Sequence, residues 1–327
     1  MAPIVSVVIP LYNKEAYIKN TLNSVLAQKI KDFEIIVVND GSTDKSAEVV
    51  KSFSDPRIRL INQVNAGVSV ARNRGINEAK ADLIAFLDGD DEWKTNFLEE
   101  ILELKNKYPE AGVYATAYEK SKRGEINIAN IRGFPPAPWK GLLPSYFLST
   151  ALGDSPICSS SVCVPKCTLL EVGMFKVGVK WGEDDDLWGR IALKYPIAFS
   201  WEIGAIYNQG ATNRACSSQY PIKEHPFVER IRIMNDKQEL TDFPYLRECI
   251  AKFQILAAKQ DISNGYNSLA RKNLKYCKTK LLYREKIFWY SISMLPNGTF
   301  NPTLNILSKT KVLSIIKLFA QAIKFKF

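Results

Sequence analysis

Residues 83–93 read LIAFLDGDDEW. Leu83 to Leu87 is a continuous apolar run of strand length, the pattern of a β-strand buried on both faces. It runs directly into Asp88, Asp90 and Asp91, which a single glycine splits. Carboxylates this crowded repel one another unless a cation lies among them. A strand that ends in acids carries them to its carboxyl end, where open α/β sheets bind ligands. An acidic turn that opens a helix would also explain these letters, because Asp and Glu suit a helix's first turn. The rest of the chain decides between the two readings.

Upstream, Ile4 to Ile9 is a β-branched run closed by Pro10 and followed by Leu11, Tyr12 and Asn13, after which Ile18, Leu22, Val25 and Leu26 repeat at helical spacing. Phe33 to Val38 is a second buried-type strand. It ends in NDGSTD, residues 39–44, where Ser42 or Asp44 can cap the next helix. Arg57 to Ile61 reads as a third strand, Asn65, Ala66 and Gly67 as a loop, and residues 68–79 as a helix with Arg72 and Arg74 near its start. Residues 94–107 continue as a helix and 111–117 as a strand. This alternation predicts a mostly parallel sheet flanked by helices, an α/β architecture with a Rossmann-like nucleotide-binding half. Right-handed crossovers place the loops after strands on one edge, so residues 10–13, 40–43 and 88–91 should share a crevice. No G-x-G-x-x-G follows the first strand, which argues against a plain dinucleotide-binding fold. The absence of a Gly-rich basic phosphate loop there also argues against a nucleotidyltransferase.

The middle of the chain is less regular. Residues 133–144 are rich in Pro and Gly and are expected to form a flexible element over the site. Residues 156–164 form a serine- and cysteine-rich extended piece. GEDDDLWGR, residues 182–190, then sets Glu183, Asp184, Asp185 and Asp186 at a helix N-terminus. The helix dipole accommodates acids there, yet four exceed what capping needs, so one is expected to face the crevice as a base.

Hydrophobic residues make up 46% of the chain and charged ones 24%, ordinary values for a globular protein. The net charge of +10 is unevenly spread: from Arg271 to Phe327 there are twelve Lys or Arg against one acid, Glu285. The first 270 residues are therefore close to neutral, which argues against a nucleic-acid groove built into the α/β part. Val312, Ile315, Ile316, Phe319 and Ile323 share a helical face among lysines, predicting a basic amphipathic helix on an anionic membrane surface. No run approaches the roughly 20 apolar residues that span a bilayer. Six cysteines without zinc-type spacing, in a chain that starts without a signal-peptide pattern, are expected as free thiols in a reducing compartment. The single histidine, His225, argues against a His-based triad and is expected on the surface beside Pro226. The chain is expected to divide into residues 1–220 and a helical, basic region, 221–327.

Taken together, VVIPLYN at 7–13, NDGSTD at 39–44, NAGVSVARNRGI at 65–76, LDGDD at 87–91 and GEDDDLWGR at 182–190 resemble the family-2 inverting glycosyltransferases of GT-A fold. The resemblance covers roughly residues 3–215 and implies a nucleotide-sugar donor, most naturally UDP-linked. It implies that Pro10, Tyr12, Asn13, Asp40 and Gly67 line the nucleotide pocket, that Arg72 lies along the nucleotide, and that Asp88 faces the ribose. Asp90, with Asp91 nearby, resembles the metal position of the D-x-D motif, with Mn2+ or Mg2+ as the divalent ion. Asp184, paired with Glu183, resembles the general base, although Asp185 and Asp186 are alternatives and Gly189 departs from the larger residue expected there. Without the Q-x-x-R-W motif of processive synthases, one sugar per encounter is expected. The acceptor implied is a glycan or lipid-linked saccharide of cell-surface polysaccharide assembly, such as lipopolysaccharide, handled by an enzyme peripheral on the inner face of the cell membrane.

Overall fold

The computed structural model describes residues 2–212, 221–236 and 243–295. The expected amphipathic helix around Val312 to Ile323 lies outside them. The chain separates into two compact units, Met1–Ser217 and Ser218–Phe327.

The first unit is built on one sheet. Its first half comprises β1 (Val5–Leu11), β2 (Phe33–Asp40), β3 (Ile58–Gln63) and β4 (Leu83–Phe86), in the order β3-β2-β1-β4 and all parallel. Every residue of β1 and β2 is buried, as continuous apolar runs in a parallel sheet require. Pro10 is tolerated inside β1 because the register with β4 ends at Val8↔Phe86, before the proline could leave a ladder bond unmade. The helices α1 (Ile18–Leu26), α2 (Ser46–Lys51) and α3 (Val68–Glu78) follow the first three strands. Within α3, Gly75 is demanded by packing: a Cβ there would lie 2.3 Å from Val8 Cγ1.

The second half is mixed. After β5 (Glu92–Trp93) and α4 (Phe97–Lys107) come β6 (Val113–Lys122), β7 (Glu125–Ile128) and β8 (Lys140–Leu142). Then follow α5 (Tyr146–Leu152), β9 (Val162–Pro165), α6 (Lys166–Val172), α7 (Glu183–Ala192) and β10 (Ile197–Asn208). The serine- and cysteine-rich piece supplies β9, which runs antiparallel between β4 and β6. β6 and β10 are parallel to each other, so β1, β2, β4, β6 and β10 all end on one edge of the sheet.

Two expectations are corrected. The loop of residues 133–144 does not cover that edge; β8 pairs with Ala198–Ser200, where β10 begins, and Phe134 and Trp139 pack there with Phe199 and Trp201. Aromatic burial, not turn composition, decides its course. His225 is buried, not superficial: its ring stacks on Phe253 at 4.1 Å, and its Nδ1 accepts from the Phe227 amide. Stacking on Phe253 and the bond to Nδ1 hold the imidazole inside the second unit.

The second unit is helical, with α8 (Pro226–Asp236), α9 (Leu246–Ser263), α10 (Asn267–Tyr276) and α11 (Tyr283–Ser293). It has its own core, in which Ala251, Ile255, Ala258 and Ile262 of α9 meet Ala270, Leu274 and Ile292. Among the described residues, Cys158, Cys163, Cys167 and Cys277 are free thiols, and no helix is long and apolar enough to cross a membrane.

Candidate active site

The carboxyl edge of the sheet gathers the sequence-predicted residues, and hydrogen bonding defines what each is free to do. Asn13, at φ 51°, ties two loops together: its backbone amide donates to Ser42 Oγ and its Oδ1 accepts from the Thr43 amide. Asp40 is buried and accepts from Gln63 Nε2, Ala66 N and Gly67 N, so it shapes the turn that starts α3. Gly67, the N-cap of α3, has open space beside its Cα. Tyr12, two residues after Pro10, is 42% exposed.

The acidic turn is held by groups far away in sequence. Asp91 N donates to Asp88 O at 3.0 Å, closing the turn. Asp91 itself is 1% exposed; one carboxylate oxygen accepts from Asn208 N and the other from Ser160 Oγ. Ser160 Oγ in turn accepts from Asp88 N, and Ser160 O accepts from Trp93 Nε1. Asp91 thus pins the turn to β10 and to the chain before β9. Asp90 meets Lys14, whose Nζ lies 2.7 Å from Asp90 Oδ2 and 2.7 Å from Thr212 O. Burial, then the charge of Asp88, raises the pKa of Asp90 despite that lysine; burial, then Asp88 and Asp90, drives Asp91 further up. The turn therefore sets three acidic groups, whose charged forms burial and mutual repulsion disfavour, beside Lys14, a surplus of acids over that lysine.

That surplus is the fit expected of a divalent cation. Among the described residues no three His, Cys, Asp or Glu side chains could hold a metal by themselves. One or two carboxylates plus substrate phosphates are the usual manner in which Mg2+ is held. With both Asp91 oxygens engaged, Asp90 is the carboxylate suited to such an ion, and Asp88 stands beside it.

Arg72, 3% exposed, joins the two acidic motifs. Its NH2 donates to Asp88 Oδ1 at 2.7 Å and its NH1 to Glu183 Oε1 at 2.9 Å, while its guanidinium lies over the Phe175 ring at 5.0 Å. Burial opposes its charge, but Asp88, Glu183 and Asp184 more than compensate and raise its pKa. Beside it, Asp184 Oδ2 accepts from Ser159 Oγ at 3.0 Å and Oδ1 from Asp185 N. Asp186 is fully buried and bridges to Arg190, whose other nitrogens bond Val172 O and Met174 O, so it organises α7 and its neighbours. Burial raises all three remaining acids: Glu183 to about 7, with Asp184 adding repulsion; Asp185 to about 7, with Glu183; and Asp184 upward, with Asp185.

Lys14, Ser159, Ser160 and Asn208 carry the site's geometry, and the sequence did not single them out. A run of three serines between apolar residues, 159–161, was the available signal, since buried hydroxyls need partners.

The sequence pattern of the family described as Glycosyl transferase family 2 matches residues 6–177. The chain is 47% identical over 93 residues to the uncharacterized glycosyltransferase EpsJ of Bacillus subtilis, covering 28% of this chain and 27% of EpsJ. The chain thus spans about a quarter of that relative. In fold it is similar to S. aureus TarS 1–349 in complex with UDP-GlcNAc, with TM-score 0.59, 22% identity and coverage of 90% and 79% of the two chains. It is likewise similar to the mannosyltransferase PcManGT of Pyrobaculum calidifontis in complex with GDP-Man and Mn2+, with TM-score 0.58, 15% identity and coverage of 90% and 84%. A mixed α/β sheet flanked by helices, an acidic turn at the end of β4 and a match over more than half its length agree: the chain belongs to glycosyl transferase family 2.

Proposed function

We propose that this protein transfers one sugar from a nucleotide-sugar donor, UDP-linked by preference, to a hydroxyl of a glycan or lipid-linked saccharide, with inversion at the anomeric carbon. The single observation that carries this reading is the Arg72 bridge. It draws the acidic turn after β4 and the acidic start of α7 into one crevice, with Ser159 and Ser160 as adjacent links to each. A leaving-group end and a base end are thereby close together.

In this reading Tyr12 stacks on the nucleobase and Pro10 lies beside it, while Asn13 and Gly67 shape the pocket wall. Asp40 accepts from a base N–H with the capacity left on Oδ2, and Asp88 takes a ribose hydroxyl. Asp90 would hold the divalent ion, Mn2+ or Mg2+, which would supply neutralisation of the charge that develops on the leaving diphosphate. Asp184 accepts the acceptor's hydroxyl proton as that oxygen forms a bond to the anomeric carbon. The bond from that carbon to the diphosphate oxygen breaks, its electron pair leaving with the diphosphate. Glu183, held by Arg72, positions Asp184. One base and no covalent intermediate are needed.

The proposed setting is cell-surface polysaccharide synthesis on the inner face of the cell membrane, with the protein peripheral. Its support is the positive charge of the C-terminal region.

The test is release of nucleoside diphosphate from a panel of nucleotide sugars, with and without acceptor and divalent ion. Asp184→Asn should lose transfer while binding the nucleotide normally. Full transfer by that variant would overturn the assignment of the base.

A further inference from the structure

The turn between α10 and α11 presents an unusual surface. Residues 272–284 contain five cations, Lys272, Lys275, Lys278, Lys280 and Arg284, all exposed, and no acid. Among them stand Tyr276, Leu281 and Tyr283, which are 66%, 50% and 59% exposed. Single exposed apolar residues need no explanation, but three interleaved with five cations form a coherent patch.

The patch is built, not loose. Glu248, buried on α9, accepts from Thr279 Oγ1, from Lys280 N at 2.9 Å and from Leu281 N at 3.2 Å. Lys286 Nζ ties the other side of the turn to Cys277 O at 2.7 Å. These bonds hold Leu282 in the core and turn its neighbour Leu281 outward. On α10, Lys272, Lys275 and Tyr276 share one face, opposite the buried Ala270 and Leu274. Helix stability accounts for Lys275, in the last turn of α10, but not for Arg284, in the first turn of α11, where the dipole disfavours a cation.

We infer that the α10–α11 turn is a docking surface for an anionic lipid bilayer, with Leu281 and the two tyrosines entering the interface and the five cations meeting the headgroups. Tyrosine suits the water–hydrocarbon boundary, and long lysine stems let an apolar side chain sink while the ammonium stays among phosphates. Nucleic acid would give Leu281 nothing to contact and would favour Arg forks over the four lysines present. The inference rests on the peripheral-membrane part of the proposed function and not on its chemistry.

The experiment is co-sedimentation of the full chain with phosphatidylcholine vesicles, with and without phosphatidylglycerol, alongside titration of a labelled oligonucleotide. Hydrolysis of the nucleotide sugar is measured in parallel. Binding should require phosphatidylglycerol and weaken with salt. Lys278→Gln with Lys280→Gln should reduce it roughly 20- to 30-fold. Leu281→Ser with Tyr283→Ser should reduce it at least tenfold even at low salt, and hydrolysis should stay unchanged in both double variants. If the unaltered chain ignores the vesicles, the peripheral reading and the patch fail together. If it binds them and both double variants bind equally well, the patch alone fails, and tighter binding to the oligonucleotide than to the vesicles also overturns it. Loss of hydrolysis in the parent chain bears on the reaction and leaves the docking result standing.

Discussion

At the scale of single residues, the site depends on which oxygen of each carboxylate is already engaged. Asp184 keeps one neighbour on each oxygen and lies beside Arg72, so Asp184→Asn is nearly isosteric. We expect kcat/KM to fall at least a thousandfold, in the range general base removal produces together with the loss of an oriented charge, with nucleotide affinity by calorimetry within threefold of the parent. Arg72→Met has another outcome. It strands Asp88 and the buried Glu183 without their shared partner, and breaking such a pair costs about 3–5 kcal/mol, readable as a lower urea midpoint. Asp90→Asn should remove the increment that Mn2+ adds to nucleoside diphosphate binding and leave metal-free binding largely intact. An unchanged increment would exclude Asp90 as the metal position.

At the scale of elements, close contact of α3 with β1 and the acidic start of α7 matter most. Gly75→Ala places a methyl against Val8, and overpacking of this kind costs about 1–3 kcal/mol by chemical denaturation. The α7 acids predict a pH profile. Burial holds protons on Glu183 and Asp185 up to about 7, and burial together with the charge of Asp185 raises Asp184, so the base gives up its proton above the ordinary carboxylate range. Transfer should therefore rise with pH on an acidic limb that lies above the ordinary carboxylate range, with Asp185→Asn moving that limb to lower pH. The stability sign follows separately. The folded state binds these protons more tightly than the unfolded chain, so this contribution is present below the ordinary carboxylate range and lost as pH rises through about 7. Asp185→Asn should flatten that loss in urea titrations across the same window.

At the scale of the whole molecule, each compact unit has a core of its own among the described residues, and the proposed donor-site residues belong to the first unit. Leu274→Ala opens a cavity in the second unit's core and should cost about 2–5 kcal/mol there, while nucleotide affinity stays within twofold. Much of the arrangement was legible beforehand. Apolar runs ending in Asp40 and Asp88 mark buried strands whatever surrounds them, because side-chain periodicity is local. Lys14 was not legible as a site residue, since nothing within a few positions distinguishes a buried ion-pair partner from an ordinary lysine, and the serine run around Ser160 signals burial without naming the partners. His225 and the loop before β8 were misplaced for the related reason that aromatic packing partners lie elsewhere in the chain.

The sequence by itself therefore determined the strand-and-helix alternation, the acidic turn after β4, the acidic helix start at Glu183 and the uneven distribution of charge. Each rests on neighbours within one element. Only the tertiary structure decided that Asp91 anchors the turn while Asp90 remains beside Lys14, and that Arg72 joins Asp88 to Glu183, 111 residues away from it. Strand order brings those groups together. A carboxylate's role is set by the donors and charges within a few ångströms of it, which no local pattern specifies.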